Sequence, residues 1–217
     1  MKTMTKTTMA IMSGTLLVGL IAGCAPEPTT APTSNPSPSA TATLTPSPSP
    51  SAVPTADPAD PTTWVISESG VGPISIGGDL TGTLAGLPDT WTNDTENCAW
   101  TAWWNAPDSS YGVYFVRGTE SDTAPIGEIS VYTAAESPTA VPSPLTAEGI
   151  GLGATKAEVL AAYPDAQEGT AQIGGGTWLM LPGDDAAHVF FEFREGADVA
   201  SDIVVTTRDE PSYEVCG

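Results

Sequence analysis

The chain has little positive charge. It contains six Lys and Arg residues against 26 Asp and Glu, so its formal net charge is −20 at pH 7. So acidic a surface repels nucleic acids and the anionic polymers of membranes and cell walls, and we expect no nucleic-acid partner. Any charged partner is expected to be cationic. A simpler interpretation is that the acidity keeps the protein soluble and monomeric, and we expect a monomer.

Histidine and clustered cysteine are also scarce. With one histidine, His188, and no Cys-x-x-Cys pair, the sequence lacks the ligands of a typical zinc site. It has no Gly-x-Ser-x-Gly elbow, and a catalytic histidine needs a nucleophile and an orienting acid nearby. The pair Asp184-Asp185 offers oxygen ligands, but no calcium-loop motif surrounds it. We therefore expect no metal, no cofactor and no enzymatic activity, and we interpret His188 as a surface residue beside a hairpin turn.

No apolar run is long enough to cross a bilayer comfortably, which takes about 20 residues. Residues 9–23 form an uncharged run after Lys2 and Lys6, in the layout of a secretory signal. The last three residues of the run and Cys24 read Ile-Ala-Gly-Cys, which resembles the bacterial lipobox, although an ordinary signal that ends at a cysteine is the alternative. Residues 1–23 are therefore predicted to be a lipoprotein signal peptide, and Cys24 the lipidated residue. This places the protein on the outer face of the cytoplasmic membrane.

Residues 24–62 are almost wholly Pro, Ser, Thr and Ala. Eleven prolines lie between Pro26 and Pro61, and Leu44 and Val53 are the only large aliphatic residues. Such a segment cannot bury a core, so we predict a disordered stalk.

The remaining residues, 63–217, are predicted to form one acidic α+β domain. They contain an internal repeat with a constant offset of 76 residues. The order of the matches favours two related halves, at about 63–140 and 145–217, over chance similarity in a Gly- and Ala-rich chain. The identical pairs are Gly77/Gly153, Leu84/Leu160, Ala85/Ala161, Pro88/Pro164, Asp89/Asp165, Thr101/Thr177, Val113/Val189 and Phe115/Phe191.

Each half is predicted to contain one short helix followed by about three antiparallel strands. In the second half, Thr155 and Glu158 form a capping box at the start of the helix, and Pro164 ends it. Asp79 is the predicted helix cap of the first half. The predicted strands are 100–105, 112–117 and 129–133 in the first half, and 177–181, 189–193 and 203–207 in the second.

Tryptophans are the candidate binding residues. In the strand 100–105, alternation places Trp100 and Trp104 on one face and Trp103 on the other. If one face of the sheet is open, its indoles would serve as interface anchors, together with Trp178 of the second half. The alternative is that helices and loops bury both faces.

A disulfide between Cys98 and Cys216 is expected. Once Cys24 carries a lipid these two cysteines remain, and an even pair in an exported domain usually forms a bond. The bond would tie the C-terminal tail to the first half. The alternative is two unpaired thiols.

A family resemblance rests on short segments: Gly-Val-Gly-Pro at 70–73, the surroundings of Cys98, Thr-Ala-Glu-Gly-Ile at 146–150, and Tyr-Glu-Val-Cys at 213–216. They look like segments of a widespread and largely uncharacterised family of exported bacterial lipoproteins. The two-half architecture is similar to that of the β-lactamase inhibitory protein, whose halves form a concave sheet that grips its target. This resemblance implies architecture and does not specify a target.

Together these features predict a membrane-anchored lipoprotein that binds a protein or peptide, as a binding or inhibitory module. Two other interpretations are a structural protein of the cell envelope without a discrete ligand and an exported hydrolase. The missing catalytic constellation disfavours the hydrolase.

Overall fold

The computed structural model describes residues 56–183 and 186–216. The predicted signal peptide, Cys24, most of the predicted stalk, and Asp184 and Asp185 lie outside the described residues. Among the residues that are described, no helix is both long and apolar enough to cross a membrane.

The described chain starts before the predicted domain boundary at residue 63. Asp60 caps a 3₁₀ helix at Pro61–Thr63 by accepting a hydrogen bond from the Thr62 amide, and Pro61 is buried. The indole Nε1 of Trp64 donates to the carbonyl oxygen of Asp57 at 2.7 Å. Residues 56–62, which the sequence places in the stalk, are therefore packed on the domain because the buried Trp64 ring holds them there.

Eleven strands and two α-helices follow within the described residues. In chain order they are β1 (Val65–Ser67), β2 (Gly70–Val71), β3 (Ile74–Ser75), α1 (Leu80–Ala85), β4 (Thr101–Asn105), β5 (Gly112–Arg117), β6 (Ile126–Tyr132), β7 (Leu145–Thr146), α2 (Lys156–Ala162), β8 (Gln167–Thr170), β9 (Thr177–Met180), β10 (His188–Phe193) and β11 (Asp202–Thr206).

The strands form two sheets, and the fold is an α+β fold that consists mostly of β-structure. Seven strands make the large sheet in the order β4-β5-β6-β11-β10-β9-β8, with every neighbouring pair antiparallel. Four short strands make the small sheet in the order β3-β2-β1-β7. The small sheet was not predicted, because strands of two or three residues are too short to show alternation.

One face of the large sheet carries the hydrophobic core. Alternation along β5 places Val113 and Phe115 in this core and turns Tyr114 to the opposite face. The small sheet and the two helices cover the core face with buried aliphatic side chains. These include Ile66, Val71, Ile74, Leu80 and Val159, which belong to the same cluster.

Corresponding elements of the two predicted halves start 76 residues apart. Helices α1 and α2 begin at residues 80 and 156, β4 and β9 at 101 and 177, β5 and β10 at 112 and 188, and β6 and β11 at 126 and 202. The capping box of α2 is confirmed, since Thr155 and Glu158 each bond the other's backbone amide. Gly77 and Gly153, both at positive φ, precede the two helices at this spacing.

The spacing of 76 residues does not hold for the pairing of residues across neighbouring strands. Phe115 lies opposite Ile129, whereas its counterpart Phe191 lies opposite Ile203, two residues short of the equivalent position. The large sheet also has a fourth strand from the second half. This strand, β8, has the polar sequence Gln-Glu-Gly-Thr and no apolar face, which is why it was not predicted.

The two edges of the large sheet are built differently. Beside β4, Thr92 and Trp103 exchange two backbone hydrogen bonds of 2.9 Å, and the Asn93 side chain donates to the Thr101 carbonyl oxygen at 2.7 Å. At the other edge β8 is exposed, and its Glu168 forms an ion pair with Lys156 at 2.7 Å.

The predicted disulfide is confirmed. Cys98 and Cys216 are bonded, with their Cα atoms 5.6 Å apart, and the bond spans 118 residues of sequence. Nearby, the Trp100 indole Nε1 donates to the Val215 carbonyl oxygen at 2.5 Å. The C-terminal tail is thus tied to the segment that precedes β4.

Candidate binding cavity

The face of the large sheet opposite the core is here called the outer face. Strand register places its side chains in rows across the sheet. Phe190 and Val204 are fully buried in the middle of this face but lie outside the main core cluster. One row holds Tyr114, Ser130, Val204, Phe190 and Met180, and the next holds Tyr132, Asp202, Glu192 and Trp178.

A cavity of about 550 Å³ lies over this face. Tyr114, Glu192 and Asp202 line it from the sheet. The loop between β8 and β9 and the C-terminal tail supply further lining residues, including Ile173 and Tyr213. The cavity therefore combines two carboxylates of the sheet with aromatic and aliphatic walls.

The two carboxylates are cross-strand neighbours. Glu192 of β10 pairs in register with Asp202 of β11. Burial, followed by the negative charges of Asp202 and Glu128, raises the pKa of Glu192 to about 8. Burial also raises the pKa of Asp202, although the Ser201 side chain and the Arg194 charge oppose that shift. At neutral pH the pair therefore holds a proton that isolated carboxylates would have lost.

A third buried acid holds the tail in place. Glu128 of β6 is 3% exposed, and its Oε2 accepts hydrogen bonds from the backbone N and the Oγ of Ser212 at 3.1 and 3.0 Å. Burial raises the pKa of Glu128, and the Ser212 hydrogen bonds oppose that rise. The tail thus supplies partners for one oxygen of this buried carboxylate, while Oε1 is buried without a hydrogen-bond partner in the described structure.

Two of the exposed apolar side chains lie at this cavity. Ile173 is 65% exposed and Tyr213 is 39% exposed. The Tyr213 hydroxyl is fixed, since it accepts a hydrogen bond from the Gln172 amide at 2.7 Å and donates to Glu210 Oε2 at 2.9 Å. These two side chains provide apolar surface beside the carboxylates of the cavity.

Arg194 is the basic residue of this cavity, and its guanidinium is already engaged. It donates to the carbonyl oxygens of Thr133 and Ala135. Within the described part of the chain the ion pairs are Arg117–Asp122 and Lys156–Glu168, so Glu192 and Asp202 have no ion-pair partner there.

The structure separates the four candidate tryptophans. Trp103 lies on the outer face, opposite Tyr114. Trp178 also lies on this face, with its ring edge-on to Phe190 at 5.3 Å and its buried Nε1 without a hydrogen-bond partner in the described structure. Trp104 packs against the core beside Trp91, with ring centroids 6.4 Å apart.

Trp100 is not an open anchor either, because its indole binds the tail. The predicted alternation of Trp103 and Trp104 is therefore correct, but the four indoles do not form one surface.

His188 begins β10, and its ring lies edge-on to Phe190 with the centroids 6.3 Å apart. Its imidazole makes no hydrogen bond to any residue in 56–183 or 186–216, and no group of three potential metal ligands occurs in those ranges. Sequence reasoning missed Glu192 and Asp202. The available indication was Glu192 itself, a single acid inside the aromatic strand Val-Phe-Phe-Glu-Phe.

Comparison with known proteins adds little. No family model and no curated protein matches the chain. Among solved structures it is similar to an extracellular protein containing an SCP domain from Bacillus anthracis str. Ames, with 16% sequence identity and a TM-score of 0.35. The similarity covers 60% of this chain and 43% of that one, so this chain spans less than half of its length. At this identity and TM-score, the similarity does not indicate a function for this chain.

Proposed function

We propose that the domain is a binding module of an exported, lipid-anchored protein, and that its cavity on the outer face takes a cationic side chain of a protein or peptide. The observation that carries this proposal is the pair Glu192 and Asp202, half-buried side by side without an ion-pair partner among the described residues. Burying two such groups costs free energy, and a ligand cation would offset that cost.

The cavity walls narrow the class of ligand. Ile173 and Tyr213 offer apolar contact to the stem of a Lys or Arg side chain, whose charged end would reach the two carboxylates. An aromatic hydroxyl such as that of Tyr114 adds a hydrogen-bonding group on the same wall. A cationic residue flanked by apolar residues therefore fits the cavity better than a free metal ion, which needs six or more oxygen ligands.

A more specific proposal is that the module inhibits the protein that it binds. The constant spacing of 76 residues between corresponding elements supports two related halves that jointly form one sheet. This arrangement supports the resemblance to the β-lactamase inhibitory protein in architecture. We propose that the outer face, which both halves share, is the surface that meets a target protein.

Binding of a cationic peptide is expected to strengthen as pH rises from 6 to 9. The cation favours the ionised form of Glu192, whose pKa lies at about 8 in the free protein, so below that pH binding must release a proton. Calorimetric titration would measure this, using the full chain with Cys24→Ser and short peptides that carry one lysine between leucines. Glu192→Gln and Asp202→Asn should each weaken binding at pH 9 by at least about tenfold.

Asp89→Asn is the matched control, because Asp89 is an exposed acid outside the cavity lining. It should bind as the parent chain does. Equal affinity of the parent and the Glu192 and Asp202 variants, or an affinity that does not change with pH, would contradict the cavity as the binding site.

The lipid anchor is tested separately. Cys24→Ser removes the thiol that would be acylated, so the variant is expected either to leave the membrane fraction or to retain residues 1–23. Membrane fractionation with mass measurement of the mature chain checks this. A membrane-bound variant of mature size would overturn the lipobox interpretation.

A further inference from the structure

A second cavity, of about 480 Å³, lies away from the carboxylate pair. Its lining includes the 3₁₀ segment before β1, the loop between β4 and β5, and a residue of the segment before β7. Two aromatic, two proline and two acidic side chains line it: Trp104, Tyr111, Pro107, Pro142, Asp60 and Asp108. None of these residues lines the cavity on the outer face.

Two aromatic side chains shape this cavity. Trp104 and Tyr111 meet edge-to-face, with ring centroids 5.6 Å apart and planes at 62°. Tyr111 is 5% exposed and lines the cavity, yet no described residue forms a hydrogen bond with its hydroxyl. Burial, and then the charges of Asp60 and Asp108, raise the pKa of Tyr111 to about 12, so this hydroxyl remains a donor at neutral pH.

The indole of Trp104 is the second unused donor. Two tryptophans donate their N–H groups inside the protein, Trp64 to Asp57 and Trp100 to Val215, whereas the buried Trp178 Nε1 has no partner on the outer face. The Trp104 Nε1 has no hydrogen-bond partner in the described structure. A ligand with unpaired carbonyl groups would satisfy both donors.

Two acids at this cavity are held in fixed positions. Asp60 Oδ1 accepts from the Thr62 amide and hydroxyl at 3.1 and 2.6 Å, and Asp108 Oδ1 accepts from the Ser110 amide and hydroxyl at 3.0 and 2.7 Å. Each carboxylate leaves its Oδ2 free of such bonds. No Lys or Arg lines the cavity, so its charge complements a basic ligand.

We propose that this cavity binds a proline-rich segment with a basic residue beside the prolines. A polyproline II chain makes no internal hydrogen bonds, so its carbonyl oxygens are free to accept from Tyr111 and Trp104. Its rings pack into grooves lined by aromatic side chains, and it loses little entropy because it is already extended. Asp60 and Asp108 would attract the basic residue and set the direction of the chain.

The test uses the full chain with Cys24→Ser and a labelled oligoproline peptide with one arginine at each end, followed by fluorescence anisotropy. Binding should be saturable and at least about fivefold tighter than that of a peptide with the prolines changed to alanine. Tyr111→Phe removes one hydroxyl and should weaken binding about three- to tenfold. Asp60→Asn combined with Asp108→Asn should weaken binding at low salt and reduce its salt dependence.

Tyr213→Phe is the matched control, since it removes a hydroxyl from the other cavity. It should leave oligoproline binding unchanged. The proposal is overturned if the alanine peptide binds equally well, which would indicate a general cation site, or if Tyr111→Phe, shown to be folded by circular dichroism, binds as the parent chain does. Because the arginines of these peptides also suit the carboxylate cavity, both peptides are titrated into a chain that also carries Glu192→Gln, in which that cavity is weakened. The lysine peptides of the first experiment contain no proline, so failure at one cavity is distinguishable from failure at the other.

Discussion

Replacing both Cys98 and Cys216 by alanine is expected to lower the free energy of unfolding by about 2–4 kcal/mol. The bond closes a loop of 118 residues. In the chain-entropy model, closing a loop of that size lowers the entropy of the unfolded state and so raises its free energy by nearly 5 kcal/mol. Strain and residual structure reduce this figure. For a domain of this size the loss corresponds to a drop in Tm of roughly 5–12 °C.

Urea unfolding of the Cys24→Ser chain and of the same chain without the bond measures this effect. A thiol assay on the denatured, unreduced protein serves as the control and should find no free thiol. A midpoint that does not change when the bond is removed would show that it contributes no net stability. The tail contacts should also loosen, because Ser212 and Val215 would lose the covalent tie that keeps them near Glu128 and Trp100.

Glu192→Gln is expected to stabilise the protein at pH 8.5 by an amount on the order of 3 kcal/mol and to leave it almost unchanged at pH 5. In the folded protein this carboxyl keeps its proton up to a pKa of about 8, whereas its ordinary pKa is 4.5. Each tenfold difference in proton affinity is equivalent to ~1.4 kcal/mol. The full difference is an upper bound, since the side chain is not completely buried.

Glu192 makes the free energy of unfolding depend on pH. Between pH 4.5 and 8 the folded protein binds one proton more at Glu192 than the unfolded chain does. Unfolding then releases a proton, so raising the pH through this window destabilises the fold. The exposed acids whose pKa values are lowered by hydrogen bonds, such as Asp94 and Asp108, act in the opposite direction but below this window.

Urea titrations at pH 5 and 8.5 distinguish these contributions. Glu195→Gln is the matched control, because Glu195 lines the same cavity but is exposed, and it should change the unfolding midpoint little at either pH. If the Glu192 and Glu195 variants behave alike at pH 8.5, the carboxyl of Glu192 is solvated and the cation proposal loses its physical basis.

The sequence predicted the local features well. The predicted strands at 100–105, 112–117, 177–181, 189–193 and 203–207 begin within one residue of β4, β5, β9, β10 and β11, whereas β6 begins at Ile126, three residues before the predicted start at 129. The Thr155–Glu158 capping box and the Cys98–Cys216 bond needed only short patterns and cysteine parity. Alternation correctly assigned Trp103 and Trp104 to opposite faces.

The candidate site could not be predicted in the same way. Glu192 and Asp202 become neighbours through the register of β10 and β11, and Ser212 reaches Glu128 across 84 residues of sequence. Periodicity carries no information on which strands pair or on what covers a face. The role of Trp100 could not be predicted for the same reason, because its indole donates to the carbonyl oxygen of Val215, 115 residues away in sequence.

The two edges of the large sheet determine whether a second molecule can pair with it through backbone hydrogen bonds. An open strand edge presents unpaired N–H and C=O groups to which a strand of another chain can bond. Beside β4, the Thr92–Trp103 bridge already occupies the backbone groups to which a second chain would bond. On β8, an approaching copy would bring its own Glu168 and Lys156 to an edge where those charges are already paired. Backbone pairing with a second chain is therefore blocked at Trp103 on the β4 edge, while a strand that approaches the β8 edge meets the Lys156–Glu168 ion pair first.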